Sequence, residues 1–212
     1  MAGMQVRLAT RVTSEDYVTG KLWQCATLSC PWHPLGGCGW ARHGTYQRVT
    51  PANTHIARWY CPRARRTVSA LPDCLASHRS GTLDQCEAYV RVLEQAPSIE
   101  SACDQLRTDI ELPGAIRFLT RLLRAIHTAL RAIKGLCPVQ FICCQPTLTE
   151  FASLLDTSSV LMQLREILTP HLPNLPAPLG FNPPSNTVQT PRLAHQHGMG
   201  RDPPVAFIEA LD

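Results

Sequence analysis

Three cysteines and a histidine offer the clearest chemistry in this chain. They lie in "CPWHPLGGCGWARHGTYQR" at 30–48 and "CPRARRTVSALPD" at 61–73. Cys30, His33 and Cys38 fall close together among prolines and glycines that permit sharp turns, and Cys61 ends the run "HIARWYC". Structural zinc takes four tetrahedral nitrogen and sulfur ligands, usually from tight turns at the ends of hairpins. Thiolate and neutral imidazole match the softness of that ion, and no carboxylate nearby competes. Cys30, His33, Cys38 and Cys61 therefore form a candidate Zn2+ set. A second Cys-x2-Cys pair would need a ligand at Ala64, which has none to give. His33 is the leading fourth ligand, with His43, His55 and Cys25 as alternatives, and a metal-free hairpin with incidental cysteines is the competing reading.

The chain holds ten cysteines. Cys86 and Cys103 sit at helical core positions and read as small buried groups. Cys137, Cys143 and Cys144 lack a histidine nearby and read as packing. No Gly-rich phosphate loop, nucleophile elbow or HExxH occurs, and no glutamate flanks the Cys-x2-His to act as the base that a zinc deaminase needs. The chain is therefore expected not to be an enzyme. No apolar run is long enough for a membrane span. The charged first twenty residues lack a signal-peptide pattern, so the expected location is cytoplasmic.

The elements that must position these groups change character along the chain. Residues 1–24 read as a polar lead-in with a short strand at Gln5–Thr10. Residues 25–80 alternate turns with period-two runs, "GTYQRVT" and "HIARWYC", joined by "PANT". With so few large apolar groups, that unit needs a staple, and metal is the obvious one. From Thr82 the period becomes helical. Thr82 with Gln85 forms a capping box, Ser98 caps a second helix, and Ala115 to Lys134 forms a third. Thr147 with Glu150 opens the helices of 147–169. Residues 170–212, rich in the chain's 18 prolines, read as a largely disordered tail. The expected fold is α+β, mostly α: a ribbon-like β unit, a helical bundle over 82–134 and 147–169, and an irregular tail.

Charge adds a functional expectation. Net charge is only +4, yet no Asp or Glu occurs from Tyr17 to Pro72, or from Leu112 to Thr149. Arg48, Arg63, Arg65 and Arg66 lie in the first run. Arg117, Arg121, Arg124 and Arg131 recur in the second at helical spacing. Two basic surfaces suit a polyanion.

The wording "CPWHPLGGCGWARHGTYQR…IARWYCPRARRTVSALPDCLA" resembles the N-terminal zinc-ribbon segment of bacterial insertion-sequence transposases and related bacterial proteins. The following "TLDQCEAYV…SIESACDQL…GAIRFLTRLLRAI" resembles the helix-turn-helix that often comes next. The resemblance covers roughly residues 28–134. Ala64 departs from the usual second pair, and Val68 and Ala70 stand where Phe and Leu are usual. The RNase H-like catalytic domain of such transposases has no counterpart after residue 134. What the resemblance implies is binding of double-stranded DNA without catalysis. Arg117, Arg121 and Arg124 are expected in the major groove, with Arg48, Arg63, Arg65 and Arg66 on phosphates. The alternative is a protein-interaction or scaffold module stabilised by zinc. In it Phe151, Leu154, Leu161, Leu164 and Leu168 of the last helices form a homodimer face.

Overall fold

The computed structural model describes residues 4–106 and 114–182. The fold is α+β and mostly α. Four strands, β1 (Met4–Leu8), β2 (Ala41–Gln47), β3 (His55–Cys61) and β4 (Arg66–Pro72), form one sheet in the order β1-β4-β3-β2. The helices are α1 (Ser14–Thr19), α2 (Leu83–Gln95), α3 (Ile99–Gln105), α4 (Ala115–Leu136), α5 (Pro138–Phe141), α6 (Leu148–Leu155) and α7 (Val160–Ile167). Among the described residues, no helix is long and apolar enough to cross a membrane.

Period-two patterning gives the sheet two covered faces. Along β3, Ile56 turns toward the helices, as does Leu71 of β4. Ala57 and Trp59 turn the other way and join Ala70 under Leu8, Trp23, Leu28 and Trp40. Cys61 follows Ala57 and Trp59 at the same two-residue step, which delivers its thiol beyond the end of that second face. Residues 25–80 and the helices therefore share one core and do not form separate bodies.

The helix starts lie where the sequence places them. Thr82, Ser98 and Thr147 each accept the backbone N–H three residues on. The α7 terminus differs, because Ser159 makes no capping bond. Its Val160 and Leu161 N–H groups donate instead to the buried Glu87 carboxylate of α2, at 3.1 and 2.9 Å. One α2 heptad later, Glu94 accepts from Leu148 and Thr149 at the start of α6. Two carboxylates on one face of α2 thus cap both C-terminal helices, where the positive helix ends favour negative charge.

The lead-in bears the expected short strand, as β1 at Met4–Leu8 against the expected Gln5–Thr10. It runs parallel to β4, pairing Met4 with Val68 and Leu8 with Pro72. Helix α1 adds structure that the sequence reading lacks. Tyr17 of α1 is fully buried and donates its hydroxyl to the His55 carbonyl. The expected disordered tail is corrected over residues 170–182. Leu172, Leu175, Leu179 and Phe181, which stand between the prolines, enter the main core, and the Pro178 and Leu179 carbonyls accept from Arg165 of α7. Residues 183–212 of that tail lie outside the described residues.

Gly180 makes the last turn possible. A Cβ there would stand 2.1 Å from the Leu175 carbonyl oxygen. Gly180→Ala is expected to lower stability by about 2 kcal/mol through overpacking, read as a shifted urea midpoint with the helical circular dichroism retained.

Candidate metal centre

The two Cys-Pro turns build the site from opposite sides. At the first, Cys30 accepts hydrogen bonds from the backbone N–H groups of Trp32 and His33. At the second, the Ala64 N–H donates to Cys61 Sγ at 3.3 Å. Ala64 thus keeps the backbone half of a metal knuckle and lacks only the side-chain ligand. Cys38 enters from the loop between them, its sulfur bonded by the Trp40 N–H. Gly39 closes that loop with φ +72°, and a Cβ there would press on Pro62 of the second turn at 3.3 Å.

The four expected ligands converge. One ligand atom each from Cys30, His33, Cys38 and Cys61 lies within 4.8 Å of all the others. His33 Nδ1 stands 3.5 Å from both Cys30 Sγ and Cys61 Sγ. Around a tetrahedral ion with Zn–S near 2.3 Å and Zn–N near 2.0–2.1 Å, neighbouring sulfur and nitrogen would be roughly 3.6 Å apart. The donors are therefore already near coordinating separation, and the set fits a metal ion. The alternatives for the fourth position lie elsewhere. His55 lies tilted against Trp23, His43 lies beside Tyr60, and Cys25 is exposed.

The three thiols are buried, at 4, 6 and 0% exposure for Cys30, Cys38 and Cys61, under Trp32, Trp40 and Ala64. Burial opposes ionisation of Cys30, but hydrogen bonds from His33, the backbone and Cys38 outweigh it and bring its thiol down to about 7. Cys38 moves upward, first through burial and then through its sulfur neighbours. One thiol poised to ionise beside a second that resists is what two close sulfurs do when a single proton must be lost first. A cation placed among them would reverse that resistance.

No family model, curated protein or solved structure matches this chain. What the site can do is therefore argued from its own geometry. An ion bound by all four of these residues would have four protein ligands, the number that structural zinc centres use.

The structure places the basic residues unequally. Arg117, Arg121, Arg124 and Arg131 all project outward from α4. Leu119, Leu122, Ile126 and Leu130 bury the opposite side, with Leu123 half-buried. Arg63, Arg65 and Arg66 are exposed around the second Cys-Pro turn, and Arg66 lies over the Trp32 ring at 5.8 Å. Arg48 differs from these in exposure. It is half-buried, and its guanidinium donates to the carbonyls of Ala76 and Arg79.

The expected dimer face is likewise corrected. Phe151, Leu161, Leu164 and Leu168 are buried in this chain's own core, leaving Leu154 as the exposed member. Periodicity alone does not distinguish the two fates of an apolar stripe. Arg165 of α7 is fully buried in that core, and neither composition nor local pattern signals it.

Proposed function

We propose that this protein binds double-stranded DNA as a non-enzymatic module, with a structural zinc ion at Cys30, His33, Cys38 and Cys61. The observation that carries the reading is the α4 stripe. Arg117, Arg121 and Arg124 point to solvent along one face, and none has an ion pair with a carboxylate among the described residues. A solvated basic face needs no partner, yet three arginines on a helix free of acids match the paired acceptors and flanking phosphates of a major groove. Zinc would hold the second Cys-Pro turn, so that Arg63, Arg65 and Arg66 form a second phosphate-facing group. In this reading α2, α3 and α4 are a helix-turn-helix, as the transposase-like wording implies, and the site of action is cytoplasmic.

The test is an Arg117→Ala/Arg121→Ala/Arg124→Ala variant, checked for folding by circular dichroism and titrated with duplex DNA at several salt concentrations. If the three arginines contact phosphates, the slope of log K against log salt falls by about three and affinity at moderate salt drops more than about tenfold. If one of them reads a base, replacing it alone relaxes preference at one position by about 1–3 kcal/mol. Unchanged affinity and slope in the folded triple variant reject this face.

A further inference from the structure

One surface depression is cationic and has no acid in its wall. It lies where the turn after β2 meets the segment following β4, and encloses roughly 290 Å3. Gln5, Arg48, Thr50, His78, Arg79 and Ser80 are among its lining residues. Arg48 and Arg79 are both half-buried, and no ion pair joins either to a carboxylate among the described residues. Burial lowers the pKa of both guanidiniums, and Arg121 adds to the effect on Arg79.

Carbonyls hold the two arginines in position without neutralising them. Arg48 donates to Ala76 and Arg79, while Arg79 Nη2 donates to the Arg121 carbonyl at 3.2 Å. A guanidinium has five N–H donors in a planar fork, so most remain available. The His78 backbone N–H is taken by Gln5 Oε1, which leaves the Gln5 amide NH2 as a further donor beside them. Partly desolvated cations without counter-charge are unfavourable, and a bound oxyanion relieves that cost while accepting from several donors at once. The bond from Arg79 to the Arg121 carbonyl also places this wall residue beside α4, which carries the exposed arginine stripe.

We propose that this depression is a phosphate-binding subsite in which Arg48 and Arg79 together receive one phosphodiester of a nucleic-acid backbone. Arg48 then acts from a fixed, half-buried position and not as a solvent-exposed surface contact. The phosphodiester as the source rests on the DNA-binding reading above. The oxyanion chemistry of the subsite does not.

Two variants test it in the full chain. Arg79→Gln removes one charge, and Ser80→Glu places a carboxylate in the wall while leaving every hydrogen bond of Arg48 and Arg79 intact. Each is titrated with duplex DNA across salt concentrations. Separately, inorganic phosphate is added to the wild type and to Ser80→Glu while the arginine Nε–H signals are followed by NMR. We expect each variant to lower the salt slope by about one and weaken duplex binding several-fold. Phosphate should shift the Arg48 and Arg79 signals saturably in the wild type and not in Ser80→Glu. Wild-type binding to duplex with unchanged slopes in both variants overturns the backbone phosphate here and leaves the α4 reading standing. If the wild type binds no duplex, the DNA reading fails, and the phosphate titration then decides the subsite. A saturable shift keeps it as a site for free phosphate, and an absent shift removes it.

Discussion

Replacing Arg165 by alanine is expected to lower stability by about 3–5 kcal/mol, a loss large enough to move the melting midpoint by roughly 10 °C. Arg165 sits on α7 with no exposed surface, yet it carries a charge. Burial brings its pKa down to about 10, partly offset by Asp73, so it remains protonated at neutral pH. Its guanidinium donates through three nitrogens to four carbonyls in two segments. Nη1 reaches Asp73 and Leu75 at 2.8 and 2.6 Å, Nη2 reaches Pro178 at 2.7 Å, and Nε reaches Leu179 at 3.0 Å.

These bonds tie the end of β4, helix α7 and the terminal turn together around one planar fork. Its face also lies 5.5 Å from the Phe181 ring centre. Alanine would leave four buried carbonyls without a donor, and each such group costs about 1–3 kcal/mol less whatever water can enter. Lysine would rescue poorly, because an ammonium has three donors at a point and cannot span the fork. The check is urea unfolding of wild type, Arg165→Ala and Arg165→Lys. Both variants within about 1 kcal/mol of wild type would contradict this account.

Arg165 also marks where the sequence ceases to be legible. Within "SVLMQLREIL" it looks like any charged residue of an amphipathic helix, and its partners lie about 13 to 92 positions away. Nothing local announces such a residue. The parallel pairing of β1 with β4 is hidden for the same reason, since its register is set across more than sixty residues. The 170–182 segment is illegible for a different reason. Its prolines read as breakers, while Leu172, Leu175, Leu179 and Phe181 between them find their partners in the core formed by distant helices. Local rules served well where the cause is local. Thr82 and Thr147 cap as their side chains dictate, and the two-residue period of "HIARWYC" delivers Cys61 to its partners. His33 was legible because the first Cys-Pro turn fixes which side chain faces inward three residues later.

Cys61→Ser is expected to abolish stable zinc binding, weakening it more than about 100-fold, with structural loss confined to the metal turns. A hydroxyl is a poor replacement for thiolate toward a borderline-soft ion. Binding of structural zinc contributes on the order of 10 kcal/mol to folding in domains that depend on it. Here the dependence should be local, because the sheet has other support. Ile56 and Leu71 pack into the helical core, and Trp59 and Ala70 are covered by Trp23 and Leu28. The segment from Cys30 to Cys38 has little such support, for its own cluster contains only the three thiols with Trp32, Trp40 and Ala64.

Metal loss should therefore change the fluorescence of Trp32 and Trp40 while helical circular dichroism stays near wild type. Thiol labelling gives an independent count. In the metal-loaded wild type, Cys25 and Cys143 are exposed and should react quickly, while Cys74 and Cys86 are buried and should not. Burial also pushes the thiols of Cys74 and Cys86 up to about 11, so they stay neutral and unreactive at neutral pH. Removing zinc with a chelator should expose Cys30, Cys38 and Cys61 to the reagent, and Cys61→Ser should show Cys30 and Cys38 reactive without chelator. Purified wild type should carry about one zinc per chain by elemental analysis, the stoichiometry of a single four-ligand site. A wild type without zinc, whose three thiols are equally protected before and after chelation, would make the cluster a metal-free core. If instead metal loss collapsed the helical signal, the turns would be supporting α2–α7, and the shared core around Ile56 and Leu71 would be weaker than its burial implies.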